Sequence, residues 1–490
     1  MSVPPNIDAF LPGERDLLLM SGRDARERWT SMARAEPLGR VLVYVALVTA
    51  SACISMLLLA VTSLTPPERA SLVAVALGAW VLLVALGWTR GTLPLKPLLV
   101  AIGITLVLAI GTPSNQSGDV NSYAMYGRIV TVHHQNPFAS YPMHFEGDPM
   151  RRRVGQIWQR TPDIYGLGFT VIMAALAPVI GESAFLVHFA YQLVAVAAVG
   201  AMLWLLWRRT RNPAVLAFVG LHPLLAVSVV NGGHPDALVA LGVLAGLLLA
   251  IERKPVLAGL AFAFAASVNF TALVAAVVLC VWAFRRWSRT EVAKFVAIVG
   301  GFGALPYLLM SGWLQNAHEH SGLVSRQSIW NAIGSFVSNA DLLRALASNG
   351  TTILAGALLV VIAIRHTSRG TPELAIAAGL ASFLVASSWV MPWYAFTALP
   401  LLALRRPNLL SWTVALYSSL VLLGEQYPSL SASTIGSVGH MLLQNLLPIA
   451  ALVCCVIVVV LRPRDVLAGE LGEKPVDAAV TAAPRLAASA

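Results

Sequence analysis

Residues 184–207 read AFLVHFAYQLVAVAAVGAMLWLLW and are followed at once by Arg208, Arg209 and Arg211. An α-helix rises about 1.5 Å per residue, so this stretch is long enough to cross the roughly 30 Å hydrocarbon core of a bilayer. Basic residues are typical of the cytoplasmic end of such a helix. The stretch therefore predicts a membrane-spanning helix whose carboxyl end lies in the cytoplasm.

Apolar stretches of this kind recur along the chain from Val41 to Leu461. Of the 490 residues, 57% are hydrophobic and only 11% are charged, whereas charged residues make up about a quarter of an ordinary soluble domain. The net charge of +10 would suit a nucleic acid, but the basic residues lie in short clusters between apolar stretches. This pattern favours contact with membrane lipids and indicates an integral membrane protein with no nucleic-acid partner.

Apolar length predicts an all-α, polytopic transmembrane protein with about 14 spans. The predicted spans begin near Val41, Ser71, Pro97, Ala184, Pro213, Ala237, Pro255, Phe270, Val292, Ile353, Glu373, Trp393, Leu409 and Met441. With the amino terminus inside, most of the 33 Lys and Arg residues fall on the cytoplasmic side. The same topology requires the apolar stretch from Tyr165 to Ile180 to be a re-entrant or juxtamembrane helix.

The domain organisation follows from these spans. Residues 41–461 form one transmembrane domain, between a cytoplasmic amino-terminal tail (1–40) and a disordered cytoplasmic carboxyl-terminal tail (462–490). Two large segments lie on the outer face: residues 112–183, which include the re-entrant helix, and residues 311–350. We expect a multi-pass protein of the inner (plasma) membrane with both termini in the cytoplasm.

Asp119 stands at the membrane boundary where the first outer loop begins. One interpretation is that it caps a helix suggested by the apolar residues between Tyr123 and Val130. The other is general-base catalysis, in which the carboxylate removes a proton from an acceptor hydroxyl as that hydroxyl attacks an activated carbon. The two roles are compatible.

Arginines follow in the same loop, on a face where the positive-inside rule disfavours them. A guanidinium group binds phosphate through two hydrogen bonds and keeps its charge, so an anionic lipid is the expected partner. For the run Arg151–Arg153, phospholipid headgroups are favoured over a substrate phosphate. Arg128 lies nine residues after Asp119 and reaches the same cavity only if the intervening helix lies along the surface.

The second outer loop contains His318, His320 and Arg326. Either histidine can donate a hydrogen bond to a phosphate or sugar oxygen, and a solvated loop histidine is the alternative. A metal site is not favoured, because alternate residues diverge on both helix and strand and no third ligand is evident.

A short polar loop from Asn231 to Asp236 joins two predicted spans on the outer side. Asp236 is favoured as a helix cap, while His234 and Asn231 are candidates to line a hydrophilic cavity. Asn269 interrupts another apolar stretch and predicts a turn that faces the same cavity.

Several short motifs in the first outer loop resemble one known family in their order and spacing. They are Gly118-Asp119-Val120-Asn121-Ser122-Tyr123, Tyr126-Gly127-Arg128, Asn136-Pro137-Phe138, Asp148-Pro149, Trp158 and Tyr165-Gly166. The family is that of the actinobacterial polyprenol-phosphomannose-dependent α-1,6-mannosyltransferases, which belong to the GT-C superfamily of membrane glycosyltransferases. His234 with Asp236, and Pro392-Trp393-Tyr394, are further matching features.

The resemblance implies a GT-C-like fold and a hexosyltransferase that uses a sugar on a polyprenyl phosphate as donor. It implies a lipid-linked or cell-wall glycan as acceptor and transfer on the outer face with inversion, so that no nucleotide-binding motif is needed. We expect no cofactor and assign no metal-binding residue. Whether a divalent metal takes part stays open, and the absence of the family's first acid argues against a metal-dependent scheme. By the same resemblance Asp119 is the catalytic base. Further residues are expected near the donor or the acceptor, namely Arg128, His234, Asp236, His318, His320 and Arg326.

Three departures from the family pattern leave the donor sugar open. The family often has a second acid where this chain has Gly118, a proline where it has Leu167, and a lysine where it has Asn269. Mannose is the leading choice, and arabinose and other polyprenyl-linked sugars remain possible. Two other functions stay open, a lipid-linked-sugar flippase or transporter and a non-catalytic paralogue. Against a transporter, no half of the chain repeats the other, and the candidate acids cluster at the outer boundary.

Overall fold

A computed structural model describes residues 66–90, 93–112, 117–365, 367, 372–425, 442 and 446–461 of the chain. All the regular secondary structure within these ranges is helical, and they contain no β-strand. The prediction of an all-α protein is therefore confirmed.

The α-helices vary from short turns to elements of 27 residues. In chain order they are α1 (Pro66–Arg90), α2 (Leu95–Gly111), α3 (Asp119–Thr131), α4 (Leu167–Ile180), α5 (Ala184–Thr210), α6 (Pro213–Gly220), α7 (Asp236–Ile251), α8 (Pro255–Val268), α9 (Ala272–Phe284), α10 (Arg289–Ile298), α11 (Leu305–Leu309), α12 (Trp313–Ser321), α13 (Ile329–Gly334), α14 (Ala340–Arg365), α15 (Pro372–Ala386), α16 (Leu399–Leu402), α17 (Leu409–Glu425) and α18 (Leu447–Val456). The 3₁₀-helices are Pro142–His144, Pro149–Arg153, Gln156–Arg160 and Pro392–Thr397, and π-helical turns cover Leu225–Val230, Val299–Ala304 and Ile457–Leu461.

Four helical stretches are long and apolar enough to cross a membrane: Ser71–Trp88, Ala184–Thr210, Arg289–Leu309 and Ala340–Arg365. Shorter apolar helices accompany them, at Leu95–Ile110, Leu167–Ile180, Asp236–Ile251, Pro255–Val268, Ala272–Phe284, Pro372–Ala386, Leu409–Gly424 and Leu447–Val460. The count of 14 spans stays a prediction. The span expected near Val41 and the tails at 1–40 and 462–490 lie outside the described residues.

Helix α7 runs through the core of the bundle, and every residue from 221 to 240 is buried. It packs closely on α8 because Gly242 and Gly246 carry no side chain at the contact. A Cβ at Gly246 would overlap the ring of Phe262, and one at Gly242 would come within 2.8 Å of the Cβ of Ala265. This packing fixes the start of α7, where Asp236 lies.

Helices α3 and α4 pack against each other, and the chain between them belongs to the predicted first outer loop. Gly127 makes this approach possible, since a Cβ there would overlap the carbonyl oxygen of Met173. The predicted helix over Tyr165–Ile180 is confirmed as α4, although its position relative to a membrane stays a prediction. With 14 residues, α4 is about 21 Å long, which is shorter than a bilayer core.

Basic segments gather at the end of the bundle opposite the start of α7. Arg253 follows the carboxyl end of α7 and donates a hydrogen bond to the carbonyl oxygen of Arg286, which follows α9, at 2.7 Å. At the carboxyl end of α5, the Arg208 guanidinium lies 4.8 Å from the ring centroid of Trp204. The bundle therefore has a polar, acid-bearing end and a basic end.

Candidate functional site

Asp119 is the first residue of α3 and is half-buried. Gly118 occupies the N-cap position, and no side chain makes a capping hydrogen bond there. The backbone N–H of Asp119 donates to Ser117 Oγ at 3.2 Å. The capping interpretation is therefore wrong for Asp119. Among the described residues no cationic side chain forms an ion pair with its carboxylate.

A chain of hydrogen bonds begins one helical turn further along α3, at Tyr123. The hydroxyl oxygens of Tyr165 and Tyr123 lie 3.2 Å apart, and Tyr123 Oη lies 3.2 Å from His234 Nδ1. The two tyrosine rings are perpendicular, with centroids 5.3 Å apart, an arrangement that aromatic pairs prefer. Residues separated by 111 positions in sequence, Tyr123 and His234, thus meet in one buried cluster.

His234 is stacked on Trp393, which belongs to a 3₁₀-helix late in the chain. The ring centroids are 3.6 Å apart and the ring planes differ by 13°. Two residues after His234, Asp236 begins α7 with Pro235 at the N-cap position and no side-chain capping bond, so its predicted capping role is also wrong. This part of the site joins the first half of the chain to its last third.

Asp236 faces a small cavity of about 20 Å³, which is room for one ordered water molecule. The lining residues come from four helical segments and are Asp236, Thr271, Leu380, Phe383, Leu384, Ser387, Tyr394 and Thr397. The turn predicted at Asn269 is confirmed, since α8 ends at Val268 and Asn269 Oδ1 accepts a hydrogen bond from Thr271 N at 3.1 Å.

The electrostatics of the site are dominated by acids without nearby cations. Burial raises the pKa of Asp119 to about 6, against a smaller lowering from its hydrogen bond with Ser117. Burial also raises the pKa of Tyr165 well above its usual value, and the charges of Asp119, Tyr394 and Asp236 act in the same direction. These four side chains are therefore close enough to interact. A carboxylate with a pKa near 6 is suited to accept a proton at neutral pH.

Asp163 holds Tyr165 in position. Its carboxylate accepts hydrogen bonds from Tyr165 N at 2.9 Å and from Thr170 Oγ1 at 2.8 Å, and its side chain is fully buried. Burial raises the pKa of Asp163 to about 7, although both hydrogen bonds act to lower it. Gly166 N donates to the carbonyl oxygen of Val268 at 3.0 Å, which fixes the same turn to α8.

Arg128 lies at the other end of α3, about 13 Å along the helix axis from Asp119. Its Nε donates to both carboxylate oxygens of Asp148, at 3.1 and 2.9 Å, and its Nη1 donates to the carbonyl oxygen of Gly181. His133 Nε2 lies 2.8 Å from the same Asp148. The structure thus places Arg128 in a salt-bridge cluster away from Asp119, and its predicted contact with substrate stays a prediction.

The predicted second outer loop, residues 311–350, packs on the predicted first outer loop. Asn316 Nδ2 donates to the carbonyl oxygen of Phe138 at 2.7 Å, and Trp313 Nε1 donates to that of Ile164 at 3.0 Å. His318 on α12 is exposed, and the side chain of His320 lies outside the described residues.

Arg326 is exposed beside Ser325, whose N–H donates to the carbonyl oxygen of Ser388 at 2.9 Å. Ser325 Oγ accepts from Val390 N at 2.8 Å, so this segment lies against the chain that leads to Trp393. In the described part of the chain, neither His318 nor Arg326 forms a hydrogen bond or ion pair with Asp119. Their roles stay predictions.

The sequence analysis did not propose five of the residues that build the site, namely Tyr123, Asp163, Tyr165, Trp393 and Tyr394. Four of them stand in the motifs that carry the family resemblance. Asp163 stands two residues before one of those motifs. The sequence signal that could have identified it is an acidic residue next to the start of an apolar helix. Across the described ranges, no three His, Cys, Asp or Glu side chains are grouped so as to hold a metal ion.

Comparison with known proteins identifies the family. A family model described as "Alpha-(1->6)-mannopyranosyltransferase, N-terminal domain" matches residues 36–285, which is half of the chain. The chain belongs to this mannopyranosyltransferase family. A Corynebacterium glutamicum protein named Alpha-(1->6)-mannopyranosyltransferase A is 24% identical over 358 residues, covering 64% of this chain and 71% of that protein. No solved structure matches the chain.

Membership in the mannopyranosyltransferase family indicates a glycosyltransferase, and the apolar helices make this family member a multi-pass membrane protein. The matched region contains most of the cluster described above, with Asp119, Tyr123, Tyr165, His234 and Asp236 all inside it. Trp393 and Tyr394 complete the site from outside the matched region.

Proposed function

We propose that this protein transfers a sugar, by preference mannose, from a polyprenyl-phosphate donor to a lipid-linked or cell-wall glycan acceptor. Transfer takes place on the outer face of the inner (plasma) membrane, both termini are cytoplasmic, and residues 41–461 form one GT-C-like transmembrane domain. Asp119 is the general base and the reaction inverts the anomeric carbon. The family match and the name of the Corynebacterium relative support the sugar and the class of reaction.

The observation that carries the proposal is the environment of Asp119. Its carboxylate lies half-buried among tyrosines, without a cationic partner in the described residues, and its pKa is raised to about 6. At pH 7 such a group is about nine-tenths ionised, and it is a stronger base than an ordinary aspartate. A buried acid left without a cation costs stability, which a purely structural role would not require.

The proposed reaction has one displacement step. The acceptor hydroxyl oxygen attacks the anomeric carbon from the face opposite the phosphate, and a new C–O bond forms as the C–O bond to phosphate breaks. Asp119 takes the hydroxyl proton, and polyprenyl phosphate leaves with the bonding electron pair. The chain's own contribution is to orient the acceptor and to receive this proton.

The arrangement of charge supports an outer-face site. Arg208 and Arg209 end α5, whereas the amino end of α5 lies beside the first outer loop, where Arg153 Nη1 donates to the carbonyl oxygen of Glu182. The 27 residues of α5 span about 40 Å between these ends. If the basic end is cytoplasmic, as the positive-inside rule predicts, the acids lie on the outer side.

Binding roles follow from the same cluster. His234 and Asp236 are proposed to contact sugar hydroxyls, because His234 is buried against the Trp393 ring and Asp236 is buried near Tyr165. Arg326 is exposed at the edge of this region and is proposed to contact the donor phosphate. Arg128, His318 and His320 remain predicted substrate contacts.

The test is transfer of radiolabelled mannose from synthetic polyprenyl phosphomannose to membrane acceptors by the purified protein. Asp119→Asn removes the base while keeping the size of the side chain. Asp341→Asn is the matched control, since Asp341 is an exposed aspartate in the first turn of α14 whose one ion pair among the described residues is with the exposed Arg344. We expect transfer by the wild type and by the control, and its loss in Asp119→Asn.

The rival functions give different results in the same preparation. A flippase would move a fluorescent lipid-linked sugar across the vesicle membrane without forming a glycosidic product. A non-catalytic paralogue would do neither. Absence of transfer by the wild type with mannosyl and arabinosyl donors, over a panel of acceptors, would contradict the proposed enzyme.

A further inference from the structure

The residues that build the proposed site differ in how much of their surface a substrate can reach. Tyr123 and His234 are buried, whereas Asp119, Tyr165 and Tyr394 are half-buried. A substrate therefore reaches the site from the side on which these three residues keep part of their surface. Further groups that bind the substrate are expected on the same side.

One face of α3 leads from the base to a short segment of the predicted first outer loop. Asp119 and Tyr126 are two helical turns apart and lie on the same face of α3. Tyr126 Oη donates to the carbonyl oxygen of Thr161 at 2.9 Å. Thr161 follows the 3₁₀-helix Gln156–Arg160, and its N–H donates to the carbonyl oxygen of Trp158 at 3.2 Å. Trp158 is therefore carried by a segment that contacts α3 about 10 Å along the helix axis from Asp119.

Trp389 comes to the same segment from late in the chain. It stands four residues before Trp393, the stacking partner of the buried histidine of the site. The next residue, Val390, donates its N–H to Ser325 Oγ at 2.8 Å, which holds this part of the chain on the predicted second outer loop. The ring centroids of Trp158 and Trp389 are 6.5 Å apart, and the ring planes are nearly perpendicular, at 85°.

Both rings of this pair are half-buried. Another pair in the protein, Trp282 and Trp287, has nearly the same geometry, with centroids 6.2 Å apart and an angle of 77°, and both of its rings are buried. Perpendicular packing of two indole rings is thus compatible with burial. The exposed surface that Trp158 and Trp389 keep, beside the accessible side of the site, therefore indicates a role in binding.

The chemistry of the pair suits a neutral sugar ring. The face of an aromatic ring carries partial negative charge, and the C–H groups of a pyranose carry partial positive charge because their carbons bear oxygen, so the two faces attract each other. Gln156 and Arg160 are exposed on the same 3₁₀-helix and supply donors for hydroxyl groups.

We propose that Trp158 and Trp389 form an acceptor subsite, on which a sugar ring of the glycan packs beyond the sugar whose hydroxyl is glycosylated. This inference rests on the proposed function and adds that the enzyme prefers acceptors of two or more sugar residues. The acceptor is the substrate concerned, because its hydroxyl meets Asp119 and the subsite lies along the same face of α3. The distance of about 10 Å leaves room for the reacting sugar between the base and the rings.

The experiment measures kcat/KM for acceptors of different length, with polyprenyl phosphomannose as donor. The acceptors are octyl α-mannoside and the corresponding α-1,6-linked dimannoside and trimannoside. We expect kcat/KM of the wild type to rise by about threefold to tenfold from the monosaccharide to the longer acceptors, the usual contribution of an aromatic contact.

The variants separate binding from a structural role. In Trp158→Leu and in Trp389→Leu, the ratio of kcat/KM between long and short acceptors should fall close to unity, because leucine is apolar but has no aromatic face. Trp204→Leu is the matched control, since Trp204 is an exposed tryptophan at the basic end of α5. If the pair serves only packing, or anchors the protein at the membrane surface, its variants will slow transfer to all acceptors by the same factor. That result would overturn the inference.

A second measurement does not depend on turnover. Saturation-transfer NMR with the trimannoside, on Asp119→Asn so that no product forms, reports glycan binding. We expect a signal from the sugars beyond the reacting one, and its loss when Trp389→Leu is added. Binding that does not depend on Trp389, or no binding at all, would overturn the inference.

The outcomes distinguish this inference from the proposed function. Equal kcat/KM for all acceptor lengths by an active wild type would overturn the subsite and leave the proposed enzyme standing. Glycan binding that depends on Trp389, with no transfer by the wild type from any donor, would contradict the enzyme and support the subsite.

Discussion

An aspartate lies near each end of helix α3, and the two differ in whether a cationic side chain neutralises the carboxylate. At the amino end, Asp119 has no cationic partner in the described residues and its pKa is raised. Near the carboxyl end, Asp148 is held by Arg128 and His133 and accepts a third hydrogen bond from Met150 N. Burial alone would raise the pKa of Asp148, but these hydrogen bonds hold it below its usual value. The neutralised acid stabilises the loop, and the unneutralised acid is available for chemistry.

The largest expected effect is the loss of activity when Asp119, at the unneutralised end of α3, is replaced. Asp119→Asn should lower kcat by about 10²- to 10⁴-fold, the usual contribution of a general base, and should leave thermal stability unchanged or slightly higher. The measurement is single-turnover transfer together with the melting temperature in detergent. If Asp119→Asn unfolds as well as losing activity, the proposed difference between the Asp119 end and the Asp148 end of α3 is wrong.

The neutralised end should show the opposite result. Asp148→Asn leaves Arg128 buried without its counter-charge and should lower the free energy of unfolding by about 3 kcal/mol. The pKa of Asp148 is lowered in the folded state, so its stabilisation is present above pH 4 or so and is lost as the pH falls through the folded pKa. Thermal unfolding of the variant and the wild type between pH 3 and 7 measures both effects, and equal melting temperatures at pH 7 would refute the prediction.

The closest approach of α3 to α4 lies at Gly127, next to Arg128. Gly127→Ala adds a Cβ that overlaps the Met173 carbonyl oxygen and should cost about 1–3 kcal/mol of stability by overpacking. Gly200→Ala is the control, since a Cβ there has no neighbour within 4 Å. Thermal unfolding should show destabilisation for Gly127→Ala alone. Equal stability of the two variants would show that α3 and α4 can move apart at Gly127 without a loss of stability.

The smallest expected effect is a pH dependence. With the pKa of Asp119 raised to about 6, the ionised fraction of this base falls about tenfold between pH 7 and pH 5, and kcat/KM should fall with it. Asp163 also has a raised pKa, of about 7, so the profile should be repeated in Asp163→Asn. Asp236 is a second buried acid close to Asp119, so Asp236→Asn is measured as well. An acid limb that persists in both variants belongs to Asp119, and one that disappears in either variant belongs to the aspartate replaced there.

The sequence predicted the all-helical class, a helix through Tyr123–Val130, the helix over Tyr165–Ile180 and the turn at Asn269. These features depend on local pattern, namely the length and periodicity of apolar residues and the position of polar interruptions. The local sequence does not distinguish Asp119 from Asp148. The difference arises because folding brings Arg128 and His133 to Asp148 and not to Asp119.

The aromatic residues of the site could not be predicted from the sequence, for a related reason. A buried tyrosine or tryptophan looks the same in a sequence whether it fills the core or orients a neighbour. The hydrogen bonds of Tyr123 and Tyr165, and the stacking of Trp393 on His234, join residues up to 159 positions apart. Long-range packing decides these contacts.

The capping roles predicted for Asp119 and Asp236 are wrong for a local reason. A cap is the residue just before the first helical residue, whereas each of these aspartates is itself the first residue of its helix.

The docking of the second outer loop on the first has a consequence for biosynthesis. Asn316 and Phe138 are 178 positions apart, and their hydrogen bond closes a loop that carries Tyr165. The ribosome must therefore complete α12, and the membrane must accept the helices before it, before the first loop reaches its final form. Trp393 arrives later still. The site is finished only near the end of translation, so a chain released early, or stalled after α11, would be inserted in the membrane with Asp119 and Asp236 in place and the proposed site unassembled.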